Sequence, residues 1–118
     1  MARALPVIVD SSPVCCAPLC DTGPLADEDA VAVAARLKAL GDPVRLRLIS
    51  LLLAAPEREA CTCDLAPGVG LSEPTVSHHL KQLLATGLVS KERRGMNVYY
   101  RPEPEALRAV ARVLDVDR

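Results

Sequence analysis

From residue 27 onward, apolar side chains recur at the three- and four-residue intervals of an α-helix, interrupted by glycine, proline and short polar runs. The first stretch, DEDAVAVAARLKAL, predicts a helix from Asp27, whose carboxylate is placed to cap it, to about Leu40. Glu28 and Asp29 suit the positive end of its dipole. Apolar residues lie on nearly every side of this helix, which predicts burial in more than one direction, as in a dimer core. Gly41 breaks it, Asp42 caps the next helix and Pro43 takes that helix's first position. In VRLRLISLLLAA, Leu46, Ile49, Leu53 and either Leu52 or Leu48 are expected to face inward, with Arg45 and Arg47 outside. Pro56 and the charged PERE run end the second helix.

The segment CTCDLAPGVG predicts a short helix at most, interrupted by Pro67 and Gly68. A stronger helix follows in SEPTVSHHLKQLLATG, capped by Ser72, with Pro74 tolerated in its first turn and Gly87 as a left-handed stop. Val76, Leu80, Leu83 and Leu84 fall on one face of it. LVSKERR and NVYYR, joined at Gly95, read as a β-hairpin with Arg93, Arg94 and Asn97 near the tip. In the closing PEPEALRAVARVLDV, Leu107, Val110, Ala111 and Leu114 form an apolar stripe. Residues 1–26, with Pro6, Pro13, Pro18, Pro24 and Gly23, have no helical period and read as a flexible, cysteine-containing N-terminal arm. Residues 27–118 then make one domain, mainly α with a β-hairpin.

Composition sharpens this outline. With 118 residues, no Phe or Trp and only Tyr99 and Tyr100 as aromatics, the core must be aliphatic. A chain this short gains from burial in a homodimer. No apolar run reaches the ~20 residues that span a bilayer, and MARALPVIVD is too short for a secretory signal. The expected location is therefore cytoplasmic, with no membrane partner. The formal net charge of −1 hides an asymmetry. Residues 1–30 set Arg3 against Asp10, Asp21, Asp27, Glu28 and Asp29, whereas residues 72–101 set five Lys and Arg against Glu73 and Glu92. An acidic leader precedes a basic surface.

A short helix, a turn, a longer helix and a basic hairpin, in that order, make a winged helix-turn-helix. In that arrangement the second helix enters the major groove of double-stranded DNA. Its outward residues, Ser72, Glu73, Thr75, Ser77, His78, His79, Lys81 and Gln82, carry groups suited to base edges and phosphates. Arg93, Arg94 and Asn97 on the hairpin are candidates for the backbone or a neighbouring minor groove. The plainer reading is a solvated helix face and a hairpin tip that only aids solubility. His78 and His79 point about 100° apart on a helix, which favours DNA contact over shared metal ligation.

KALGDPVRLRLISLL, then CTCDL, then LSEPTVSHHLKQLLATGLVSKERRGMNVYYR resemble the ArsR/SmtB family of metal-sensing bacterial repressors, over about residues 30–115. The resemblance implies a homodimer through the first and last helices that occupies its operator without metal and leaves when metal binds. Glu73 departs from the glutamine that relatives often carry, so the operator read is expected to differ from theirs in sequence. The CxC pair and leader cysteines resemble the arsenic and cadmium/lead branch. The CC pair before TGPL is most like arsenite-responsive members. A second family site, built from His and acidic ligands on the last helix, is discounted because residues 103–118 hold no histidine.

Five cysteines cannot all pair within one chain, and clustered thiols in a reducing compartment favour metal or redox chemistry. Cys61 and Cys63 form one cluster; Cys15 and Cys16 form the other, with Cys20 the weaker member. Thiolates select soft ions: three suit As(III) or Sb(III), four suit Cd(II), Pb(II) or Zn(II). Cys61 and Cys63 would stand roughly 200° apart on a regular helix. They converge only if this start is extended or becomes unwound. The eleven residues from Cys16 to Asp27 span at most ~35 Å, enough to reach a second subunit. Plainer alternatives are a buried, unreactive cysteine at 61 or 63 and a redox-sensitive disulfide between Cys15 and Cys16. The expected function is a metalloid-released transcriptional repressor that binds operator DNA as a dimer. Its alternatives are a Cd(II)/Pb(II)/Zn(II)-responsive repressor and a thiol-redox-sensing one. No general base or substrate pocket for an enzyme is apparent in the sequence.

Overall fold

An aliphatic core organises the chain in the computed structural model, which describes residues 24–116. Five helices surround it: α1 Asp27–Leu40, α2 Pro43–Ala54, α3 Thr62–Val69, α4 Glu73–Ala85 and α5 Pro104–Val113. Three strands, β1 Ala60–Cys61, β2 Val89–Arg94 and β3 Asn97–Pro102, form an antiparallel sheet in the order β1–β3–β2. Leu48, Leu52, Val76, Leu80, Leu83 and Leu88 are fully buried at its centre. Each such side chain contributes about 1.5–3 kcal/mol by leaving water.

The helix starts follow from local chemistry. The Asp42 carboxylate accepts hydrogen bonds from the backbone N–H groups of Val44 (2.9 Å) and Arg45 (3.1 Å), and Pro43 needs no partner at the first helical position. These bonds hold the Asp42 carboxyl below its ordinary value, the Arg45 N–H bond first among them. Ser72 caps α4 by accepting from the Thr75 N–H at 3.4 Å. Helix α1 departs from expectation: Asp27 is already helical, and Ala26 before it has no side-chain acceptor. The acidic first turn therefore helps α1 through its charge rather than as a cap.

Two inward faces and the course of α3 also differ from expectation. In α2, Leu48, Ile49 and Leu52 are buried, whereas Leu46 and Leu53 are 52% and 40% exposed. A helix that is apolar on several sides is oriented by its neighbours, here α3, α4 and β3, rather than by its own period. In α5, Ala106, Ala109, Val110 and Val113 face inward. The expected stripe shares only Val110 with that set; Leu107 is half-buried, and Ala111 and Leu114 are exposed. Small alanines let α5 approach closely, which rotates the larger residues outward. Helix α3 runs without a break through Pro67 and Gly68 to the left-handed Gly70 at φ 71°. It survives the proline because Leu65 and Ala66 are buried and Arg47 donates to the Gly68 carbonyl at 2.8 Å. Gly68 also lets α2 come near, since a Cβ there would lie 2.9 Å from a Leu51 methyl.

The hairpin forms as expected, Arg94 pairing with Asn97 across Gly95, whose φ is 62°. Strand β1 was not anticipated. Ala60 pairs with Tyr100 and Cys61 with Tyr99, so the first CTC cysteine is a rung of the hairpin's own sheet. No helix among the described residues is long and apolar enough to cross a membrane.

A thiol pair between two candidate DNA-reading elements

Cys61 is the last residue of β1 and also the residue before α3, with φ −90° and ψ 167°. Its backbone is extended, so the angular separation of a regular helix does not apply between it and Cys63. The two sulfurs converge and are joined as a disulfide. Cys61 is buried and Cys63 exposed. The Asp64 carboxylate lies 3.4 Å from the Cys61 sulfur. A disulfide sulfur has no proton to donate, so this contact becomes a hydrogen bond only in the dithiol. The two sulfurs and an Asp64 oxygen all lie within 4.8 Å of one another, close enough to share one ion. Two soft donors and one hard one fit a thiophilic ion once the disulfide is reduced. Asp64 escaped sequence reasoning although CTCDL contains it, because a single carboxylate beside two thiols has no spacing rule to mark it.

Thr62, between the cysteines, donates its hydroxyl to Glu73 at 3.2 Å, at the first position of α4. The thiol segment therefore touches both candidate DNA-reading elements, α4 through Thr62 and the hairpin through Cys61.

On α4, Glu73, Thr75, His78, Lys81 and Gln82 are exposed, and Ser77 is half-buried. Ser72 is exposed but spends its hydroxyl on the cap and on a 2.9 Å contact with the Thr75 hydroxyl. His79 turns back toward α2. Its Nδ1 sits 3.4 Å from Arg45 and 3.9 Å from the Asp42 carboxylate. The two imidazole centres are 6.1 Å apart, His78 being the outward one. On the hairpin, Lys91, Arg93 and Asn97 are exposed. Arg94 is engaged instead: it pairs with Glu59 and with Glu92 (2.8 Å) and stacks 5.0 Å above the Tyr99 ring. Glu59 also takes Arg101 at 3.2 Å. Hydrogen bonding to Arg94 holds the Glu59 carboxyl below its ordinary value, and Glu59 in turn raises Arg94. In sequence, Glu59 was part of the PERE run and marked only a helix end. The arm thiols Cys15, Cys16 and Cys20 lie outside the described residues.

Residues 42–91 match the profile of the bacterial regulatory protein family arsR. The arsenical resistance operon repressor of Staphylococcus xylosus is 38% identical over 80 residues, covering 68% of this chain and 74% of that protein. The chain belongs to the arsR family. The arsenic resistance transcriptional regulator ArsR1 of Pseudomonas putida is 44% identical over 68 residues, 58% of this chain and 52% of that one. This arsR-family chain thus spans about half the length of that relative. A homodimeric winged helix-turn-helix DNA-binding domain from Mycobacterium bovis, of a possible ArsR-family transcriptional regulator, superimposes with a TM-score of 0.62 at 31% identity. The match covers 74% of this chain and 82% of that one. The α3–α4 pair with the β2–β3 hairpin is the same winged helix-turn-helix architecture.

Proposed function

We propose that this chain is a metalloid-responsive repressor that holds operator DNA as a dimer and lets go when As(III) or Sb(III) binds its cysteine thiolates. One observation carries the reading: the CTC segment brings two sulfurs together and is bonded both to the first residue of α4 and to the hairpin. Helix α4 supplies Thr75, Ser77, His78, Lys81 and Gln82 to the major groove, and the wing supplies Arg93 and Asn97. Reduction of the disulfide by two electrons and two protons frees Cys61 and Cys63 as ligands. Cys15 and Cys16 of the arm supply the remaining sulfur, with Cys20 behind them. Cys61 and Cys63 already converge, so an ion that also takes an arm sulfur pulls on the pair as a unit and shifts Thr62 and the β1 rung. The grip of α4 and the wing on DNA then changes together. The Leu107–Ala111 side of α5 with Leu114 just after it, half-buried at Leu107 and exposed at the other two, lies beside α1 and is the surface for the second subunit.

The test is a titration of arsenite, antimonite, Cd(II), Pb(II) and Zn(II) against the protein bound to operator duplex, with reductant present. Release by arsenite or antimonite at lower concentration than by the divalent ions is the expected result. Preferential release by Cd(II), Pb(II) or Zn(II) would move the inducer to that class. The Cys61–Cys63 disulfide favours one second reading, a thiol-redox sensor. Release by peroxide, with none of the ions effective, would establish it.

A further inference from the structure

We propose that Glu59 is an internal stand-in for a DNA phosphate, occupying Arg94 and Arg101 of the wing and withholding them from duplex DNA. The proposal rests on the reading of β2–β3 as a DNA-contacting wing. The Glu59 side chain is only 9% exposed, yet the arginines it holds are 42% and 49% exposed. Arg94 offers it two nitrogens, Nη1 and Nη2, the second at 3.0 Å from Oε1. That forked geometry is the one a guanidinium uses for phosphate. Glu59 and Glu92 together neutralise Arg94 and Arg101, leaving Lys91 and Arg93 as the exposed positive charge of β2. An arginine so paired cannot also neutralise a phosphate.

The backbone leading to Glu59 is itself unusual. Glu57 and Arg58 have φ values of 57° and 53°, two consecutive non-glycine residues in the left-handed region. Such a conformation persists only where surrounding contacts enforce it. Here it turns the chain from α2 so that Glu59 meets the wing and Ala60 enters the sheet opposite Tyr100. Glu59 is two residues from Cys61, so movement of the thiol strand acts on the same ion pairs.

Competition with phosphate has a distinct readout, the salt dependence of DNA binding. Binding of a fluorescein-labelled duplex of arbitrary sequence is followed by anisotropy across a salt series for wild type, Glu59→Gln and Glu59→Asp. Glu59→Gln should bind more tightly at low salt, with log K falling more steeply against log salt by about 0.9 for each arginine released. With both released, its affinity should drop roughly tenfold more than that of wild type between 50 and 200 mM salt. Glu59→Asp, with a shorter reach, should shift the same way by less, and it carries the test if Glu59→Gln does not fold. Adding Glu59→Gln to an Arg94→Gln/Arg101→Gln protein should change nothing further. An unchanged or shallower slope in the Glu59 variants, while wild type binds DNA, overturns the proposal and leaves Glu59 a structural clamp. Failure of wild type to bind any duplex, including its own operator, overturns the DNA-binding reading itself.

Discussion

The bond from Thr62 to Glu73 gives the thiol pair a short route to the reading helix, and its worth can be estimated. Thr62→Val keeps the side-chain shape and removes only the donor. Hydrogen bonds contribute about 0.5–1.5 kcal/mol net, and this one ends on an exposed carboxylate, so about 1 kcal/mol is a fair upper figure. Inducer and DNA are coupled in such switches by about 1–3 kcal/mol. Losing up to 1 kcal/mol of that shrinks the arsenite effect on operator affinity by as much as about fivefold, at 1.4 kcal/mol per tenfold. The assay is operator binding by anisotropy with and without saturating arsenite, in reductant. Coupling is reciprocal, so the ratio of arsenite affinities between free and DNA-bound protein should shrink by the same factor. Urea unfolding controls for stability, which should change by less than about 1 kcal/mol. A Thr62→Val protein with normal stability and an undiminished arsenite effect refutes this route. Coupling would then run through the β1 rung instead.

Other consequences are more direct. Protein oxidised with diamide should fail to respond to arsenite and recover with dithiothreitol, because Cys61 and Cys63 cannot act as thiolates while joined; titration of free thiols before and after checks the state. Leu80→Ala, at a fully buried position of α4, should cost about 2–5 kcal/mol in urea unfolding; a loss below that range would mean the reading helix is not anchored as described. Asp42 and Glu59 both have carboxyls held low in the folded state. Their contribution is complete above the ordinary carboxylate range near pH 4 and is lost as pH falls through the lower folded values, so urea midpoints should decline at the acid end rather than between pH 6 and 8. Sensing of Cd(II), Pb(II) or Zn(II) should weaken as pH falls, because each thiol releases its proton on ligation, whereas As(OH)3 takes each thiol proton away as water and should hold its response; operator release by arsenite and Cd(II) titrated at two pH values checks it.

Local chemistry made much of this molecule legible in advance. Asp42 with Pro43, Ser72 with Pro74, and Gly95 between two short runs mark their elements by backbone requirements that few other residues meet. Faces were harder to read. Leu46 and Leu53 look as buried as Leu48 and Leu52 in sequence, and only the positions of α3, α4 and β3 separate them. His78 and His79 illustrate the same limit, since the Arg45 and Asp42 groups that draw one inward are distant in sequence.

At the site, the spacing of Cys61 and Cys63 posed a conditional: two sulfurs that diverge on a helix and meet only if the first is extended. A strand of two residues resolves it, and no window of sequence that short carries a strand period. Its cause lies about forty residues downstream, in the Tyr99–Tyr100 edge that accepts Ala60 and Cys61 as partners. The same pairing makes the thiol position and the wing one mechanical unit. Convergence of the sulfurs and their attachment to the hairpin therefore have a single origin, and a substitution that removes the β1–β3 rung should weaken both together.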